Sequence, residues 1–169
     1  KHYAGIQMFN GEKLEMRAEV GLLTRNIIIQ GDSDSEVEQY GAHIMIHSPG
    51  DESSVGRISY VEVRQAGQAF QLGRYPIHFH RIGTVTKSYI KGNAIHHTYN
   101  RATTIHAVHH LTVADNVVYY CKGHNIFIED AIETYNLIEN NLVITTLPSN
   151  SLLNTDQTPA SFWITNPKN

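Results

Sequence analysis

Four short runs end on residues that could do chemistry. "IMIH" (44–47), "IHFH" (77–80) and "TTIH" (103–106) close on histidine, and "IFIE" (126–129) closes on glutamate. In an extended chain alternate side chains share a face. Ile44/Ile46, Ile77/Phe79, Thr103/Ile105 and Ile126/Ile128 then point one way, and His47, His80, His106 and Glu129 the other. If the runs stack, three imidazoles and one carboxylate form a column. His78 shares the face of His80, about 7 Å along the strand. Its neighbours on adjoining rungs are expected to be Thr104 and Phe127, and Asp130 follows Glu129 at the strand end.

Three readings compete for this column. The first is a metal site built from His47, His80, His106 and Glu129. Three imidazoles with an open position suit zinc, and two with a carboxylate suit iron or another divalent transition metal. The second is a glycan site in an outer groove. Its ligand-binding residues would be His78, His80, His106, Arg74, Tyr75 and Arg101, with Tyr99 close by. In that groove His78, His80, His106, Glu129, Arg74 and Arg101 are candidate catalytic groups, with histidine or glutamate as general acid or base. The third is a ladder of polar side chains without chemistry. Stacked imidazoles repel when charged, so such a ladder must stay neutral or recruit an anion. Spacing alone does not choose.

These residues need a scaffold that repeats. Helical periodicity is nearly absent, and short runs rich in Ile, Val, Thr and Tyr are punctuated by Gly, Asn, Asp and Ser. "IKGNAI" (90–95), "VADNVV" (113–118) and "IENNLV" (138–143) share one pattern, with Asn93, Asn116 and Asn141 spaced by 23 and 25 residues. The column spacings of 33, 26 and 23 are the same period with loops inserted. A period in the low twenties built on short strands predicts an all-β solenoid: a right-handed parallel β-helix of about 22–26 residues per coil. Asparagine at the repeated turn would adopt left-handed backbone and bond its copy one rung away. "SYVEVR" (59–64) aligns with "SYIKGN" (88–93) as an earlier copy. Residues 1–24 read as a lead-in coil, 25–146 as the repeat coils, and 147–169 as a cap or a continuation. "GDSDSEVEQYG" (31–41) and "SPGDESSVG" (48–56) read as polar loops on one face.

Composition narrows the partners. Thirteen Lys+Arg against 16 Asp+Glu give a formal charge of −3, which argues against nucleic acid. No apolar stretch is long enough to cross a bilayer. Nine of the eleven histidines fall between His43 and His110. The pairs His96/His97 and His109/His110 are expected to point apart, and His43 and His124 to sit in turns. The single cysteine, Cys121, excludes an internal disulfide and reads as a buried small hydrophobe. The opening "KHYAGIQMF" and the close "FWITNPKN" read as cut ends of a longer chain.

"YPIHFHRIG", the stretch from "IKGNAIHHTYNRATTIHAVHH" through "IENNLV", and "SLLNTDQTPASFWITNPKN" resemble the parallel β-helix region of the fibrocystin-L group. That group carries a glycine-rich G8 domain followed by parallel β-helix repeats. Its relatives include fibrocystin and the cell-migration-inducing hyaluronan-binding protein. The resemblance covers most of the chain from about residue 17, and the G8 domain lies outside it. It implies a large extracellular or cell-surface parent, membrane-anchored, with this segment among other domains of the same chain. It also implies a link to hyaluronan, as a structural or adhesive segment that binds glycan or as a hyaluronidase-like, polysaccharide-cleaving enzyme. It assigns no catalytic residue, so the histidine column rests on spacing alone.

Overall fold

A computed structural model describes residues 5–49, 51–151 and 153–169. Residues 1–4 of the expected lead-in, Gly50 of the second loop and Leu152 of the tail lie outside the described residues. The chain opens with an antiparallel hairpin, β1 (Ile6–Phe9) and β2 (Glu12–Glu15). This differs from the expected lead-in coil. Asn10 and Gly11 both have positive φ, the geometry of a two-residue hairpin turn.

The coils follow, three strands at a time. They run β3 (Ile28–Gln30), β4 (Ile44–His47), β5 (Arg57–Ser59), then β6 (Glu62–Arg64), β7 (Ile77–Thr84), β8 (Tyr89–Lys91). The next are β9 (Ala94–Thr98), β10 (Thr103–His109), β11 (Thr112–Ala114), then β12 (Val117–Lys122), β13 (Ile126–Ile128), β14 (Leu137–Glu139). β15 (Leu142–Leu147) and β16 (Phe162–Trp163) begin one more turn, so the tail continues the stack. Corresponding strands pair in parallel into three sheets: β3-β6-β9-β12-β15, β4-β7-β10-β13-β16 and β5-β8-β11-β14. The fold is the right-handed parallel β-helix that the period predicts.

The inward residues fill the tube. Ile77, Phe79, Ile105, Ile126 and Ile128 from the second sheet meet Val63, Ile95 and Val118 from the first, all fully buried. Cys121 lies among them, and burial pushes its thiol up to about 12, well away from a nucleophile.

The asparagine ladder forms, with one correction. Asn93 Nδ2 donates to Asn116 Oδ1 at 3.0 Å, and Asn116 Nδ2 donates to Asn141 Oδ1 at 2.9 Å. The left-handed residue is the one before each: Gly92, Asp115 and Asn140. Tyr60 takes that place one coil earlier, with φ 54. The proposed alignment of 59–64 with 88–93 is therefore corrected. Register pairs Ile58 with Ile90 and Val63 with Ile95, so Val61 lies opposite Asn93 and its N–H donates to Asn93 Oδ1. Two matching letters and a Val-for-Ile exchange were a weaker guide than the left-handed corner. Asn116→Ala removes the acceptor of the buried Asn93 backbone N–H and the side-chain donor to the Ile90 carbonyl, and breaks the ladder between Asn93 and Asn141. It is expected to cost about 2–3 kcal/mol, measured by urea denaturation.

Three insertions share one corner, while the 48–56 loop joins the second sheet to the third. Residues 31–43, 65–76 and 148–161 all join the first sheet to the second, where the other turns of the coil use only 99–102 and 123–125. The 31–41 segment, expected as loop, includes a four-residue helix, α1 (Ser35–Glu38), whose first N–H bonds Asp32 Oδ1. The 65–76 insertion covers the outward face of the second sheet at His78, whereas Gln39 of the 31–43 insertion reaches Lys122 on the first sheet.

Candidate functional site

Register sets the column. His47 pairs with His80, His80 with His106, and the Glu129 N–H donates to Ile105 O one rung on. His78 lies between Met45 and Thr104, and Thr104 pairs with Phe127, as alternation predicts. The 65–76 insertion folds over this position. His78 is 1% exposed, against the ring of Tyr75 at 4.9 Å. A cavity of about 290 Å³ opens here, lined by Arg74, Tyr75, His78, His80, His106 and Glu129 among others.

Proton placement in the cluster follows from its partners. His78 Nδ1 lies 2.9 Å from the Gly73 carbonyl, an acceptor, so it carries the proton and Nε2 keeps its lone pair. His106 Nε2 lies 2.7 Å from Asp130 Oδ2, so it too carries the proton and its Nδ1 keeps a lone pair. Both lone pairs face His80 Nδ1, at 3.3 Å from His78 and 3.0 Å from His106. One proton on His80 can serve only one of them. Burial holds His78 down at about 3, and burial with the neighbouring imidazoles holds His80 below its usual value. Both rings are therefore neutral at pH 7, the form that ligates metals.

This arrangement fits a transition-metal ion. The ligand atoms of His78, His80 and His106 all lie within 4.8 Å of one another. Bonds of 2.0–2.1 Å in a tetrahedron separate nitrogens by about 3.3 Å, close to the two short separations. The Gly73 carbonyl and Asp130 orient their rings as outer-shell partners orient metal-bound imidazoles.

The sequence-derived set differs from this cluster in two members. His47 is exposed and its Nδ1 bonds the His80 carbonyl at 3.0 Å, outside the three-ring cluster. Glu129 flanks the cluster, with Oε2 3.6 Å from His106 Nδ1, beyond hydrogen-bond length. That oxygen is buried without a partner, and burial raises the carboxyl above its ordinary range. Arg74 is exposed at the rim, and Tyr75 is buried in the wall.

Arg101 must be corrected as a groove residue. It is fully buried, with its guanidinium 3.6 Å from the centre of the Phe127 ring and 4.8 Å from that of Tyr75. Nη2 lies 3.4 Å from Asp156 Oδ2. Asp156 also receives the His124 N–H on Oδ1, and the His124 ring packs against Phe127 and Trp163. His124 therefore belongs to the packing of the corner. Asp156 has no signal in the local sequence, because it arrives from the 148–161 insertion.

Acid destabilises this arrangement in a predictable window. From pH 6.5 down to about 3 the unfolded chain protonates His78 and the folded chain does not. The unfolded state binds more protons, so stability falls as pH falls through that window. His43, His80, His96 and His124 are depressed in the same direction and add to the slope. The urea midpoint is expected to drop between pH 7 and pH 5, and less steeply in His78→Gln.

A parallel β-helix with an insertion-roofed, histidine-floored groove is the class that fold and site define. The CEMIP beta-helix family profile matches residues 39–169, and the chain belongs to that family. Fibrocystin-L from Mus musculus is 46% identical over 95% of the chain, and that from Homo sapiens 45% over 97%. Cell surface hyaluronidase CEMIP2 from Homo sapiens is 38% identical over 85% of the chain. The chain spans only 5% of the fibrocystin-L proteins and 11% of CEMIP2. Among the described residues no helix is long and apolar enough to cross a membrane.

Proposed function

We propose that this chain is the glycan-binding β-helix segment of a larger extracellular or cell-surface protein. Its groove over the second sheet takes a polysaccharide of the hyaluronan class, and His78, His80 and His106 hold a divalent transition metal at the floor. The donor chemistry favours zinc. The observation that carries the metal is the convergence of three ring nitrogens that share at most one proton. The exposed Arg74 at the rim supplies a cation for a sugar carboxylate, and a net charge of −3 disfavours a nucleic-acid partner.

When bound, the metal supplies a Lewis acid for an oxygen of the sugar. The chain's own residues do the rest. Gly73 and Asp130 lock the tautomers of His78 and His106, and the 65–76 insertion limits water at His78. A second reading, cleavage of the polysaccharide, is favoured by Glu129. A carboxyl raised by burial beside an imidazole suits a general acid. The name of CEMIP2, a cell surface hyaluronidase, agrees with that reading.

Calorimetric titration with hyaluronan oligosaccharides, with and without zinc, tests the binding reading. Saturable binding that weakens in Arg74→Ala is expected, and no heat under either condition removes it. Chromatographic sizing of the incubated polymer tests cleavage: chain shortening that stops in Glu129→Gln supports it, and an unchanged size distribution rejects it.

A further inference from the structure

A cavity of about 650 Å³ lies on the first sheet, away from the histidine trio. We infer that it is a second ligand site, for a small saccharide carrying a single carboxylate, with His97 as a hydrogen-bond acceptor and Lys122 as the carboxylate partner. The inference does not rest on the proposed function, since no residue of that cavity belongs to the trio.

A backbone device creates the site. Gln65, His97, Tyr120 and Thr145 all have positive φ, one per coil, and form a left-handed bend in the first sheet. Consecutive residues then stop pointing apart. His96 and His97, expected on opposite faces, have their Nδ1 atoms 2.8 Å from one another.

Their proton order follows from the buried end. Glu62 is 2% exposed, receives the Arg25 N–H, and lies 3.3 Å from Arg64 Nη1 and from His96 Nε2. Two cationic or N–H partners on its oxygens mark an ionised carboxylate. His96 Nε2–H therefore donates to Glu62, and His96 Nδ1 is a lone pair. His97 Nδ1–H then donates to His96, which leaves His97 Nε2 as an acceptor on an exposed ring.

The rest of the lining fits a uronate-like ligand. Lys122 Nζ donates at 2.7 Å to Gln39 Oε1, a neutral amide. Among the described residues no carboxylate lies within 4.0 Å of that ammonium, so it has no direct ion-pair partner. Tyr120 is 43% exposed beside His97, an apolar face for a sugar ring. Tyr99 is 7% exposed and its hydroxyl has no partner. Glu36 on α1 also lines the cavity and disfavours sulfated or phosphorylated polyanions.

The test uses D-glucuronate and D-glucose as matched probes of the whole chain by NMR. Glucuronate is expected to shift His97 and Tyr120 resonances saturably, with glucose at least about tenfold weaker for want of the charge-assisted bond. Lys122→Gln is expected to lower the glucuronate affinity to that of glucose. Tyr120→Ala weakens both probes. The long-range ¹H–¹⁵N spectrum is expected to show His97 protonated on Nδ1. The inference is overturned if glucuronate does not shift these residues, if Lys122→Gln leaves the preference intact, or if His97 carries its proton on Nε2.

Discussion

Zinc is expected to raise the melting temperature of the chain, and His78→Ala is expected to abolish the rise. An ion that binds only the folded state adds about 2.7 kcal/mol at a hundred times its dissociation constant. For a chain of this size that is a shift of about 5–10 °C. The three ring nitrogens exist as a cluster only in the fold, because they come from β7 and β10, two coils of the stack. Loss of one of three imidazoles is expected to weaken zinc by more than about a hundredfold, beyond the loss from an outer-shell partner. Asp130→Asn, which alters only the partner of His106, is expected to weaken it about tenfold to a hundredfold. His47→Ala is expected to leave the rise in place, since His47 spends its Nδ1 on the His80 carbonyl. Differential scanning calorimetry across these variants reads all four outcomes.

Asp156→Ala loses about 3–5 kcal/mol of stability, the largest single loss expected outside the apolar core. Arg101 is fully buried, and its Nε and Nη1 have no hydrogen-bond partner. Its charge is balanced by Asp156 and by the faces of Phe127 and Tyr75. Removal of the carboxylate leaves a buried cation unpaired and also frees the His124 N–H. Arg101→Met with Asp156→Leu removes both charges and is expected to recover most of the loss. Urea denaturation of the wild type, both single variants and the double variant closes the cycle. If Asp156→Ala unfolds at the wild-type midpoint, the pair does not hold the corner.

Much of the fold was legible because it repeats. Ile, Val and Phe at alternate positions state the inward face directly, and Asn93, Asn116 and Asn141 mark the same corner in three coils. Strand register, and with it the pairing of His47 with His80 and His106, follows from that period. What the period does not encode is the roof. His78 has no histidine on the neighbouring rungs, so spacing treats it as surplus. Its importance comes from the 65–76 insertion, whose Gly73 carbonyl fixes its tautomer and whose Tyr75 buries it. Arg101 failed for the same reason: the 148–161 insertion carries Asp156 over it and takes it out of solvent. His96 and His97 failed for another. Alternation assumes extended backbone, and a left-handed residue at His97 breaks the alternation where it mattered. The other members of that bend, Gln65, Tyr120 and Thr145, are not residues that announce positive φ. By contrast, Asn10–Gly11 carried a hairpin signal that the expected lead-in coil passed over.

Anomalous diffraction at the zinc edge, from crystals of the chain grown with zinc, tests the trio most directly. One strong peak bonded by ring nitrogens of His78, His80 and His106 is the predicted result. No peak at the groove, or a peak held by His47 and Glu129 without His78, would contradict it.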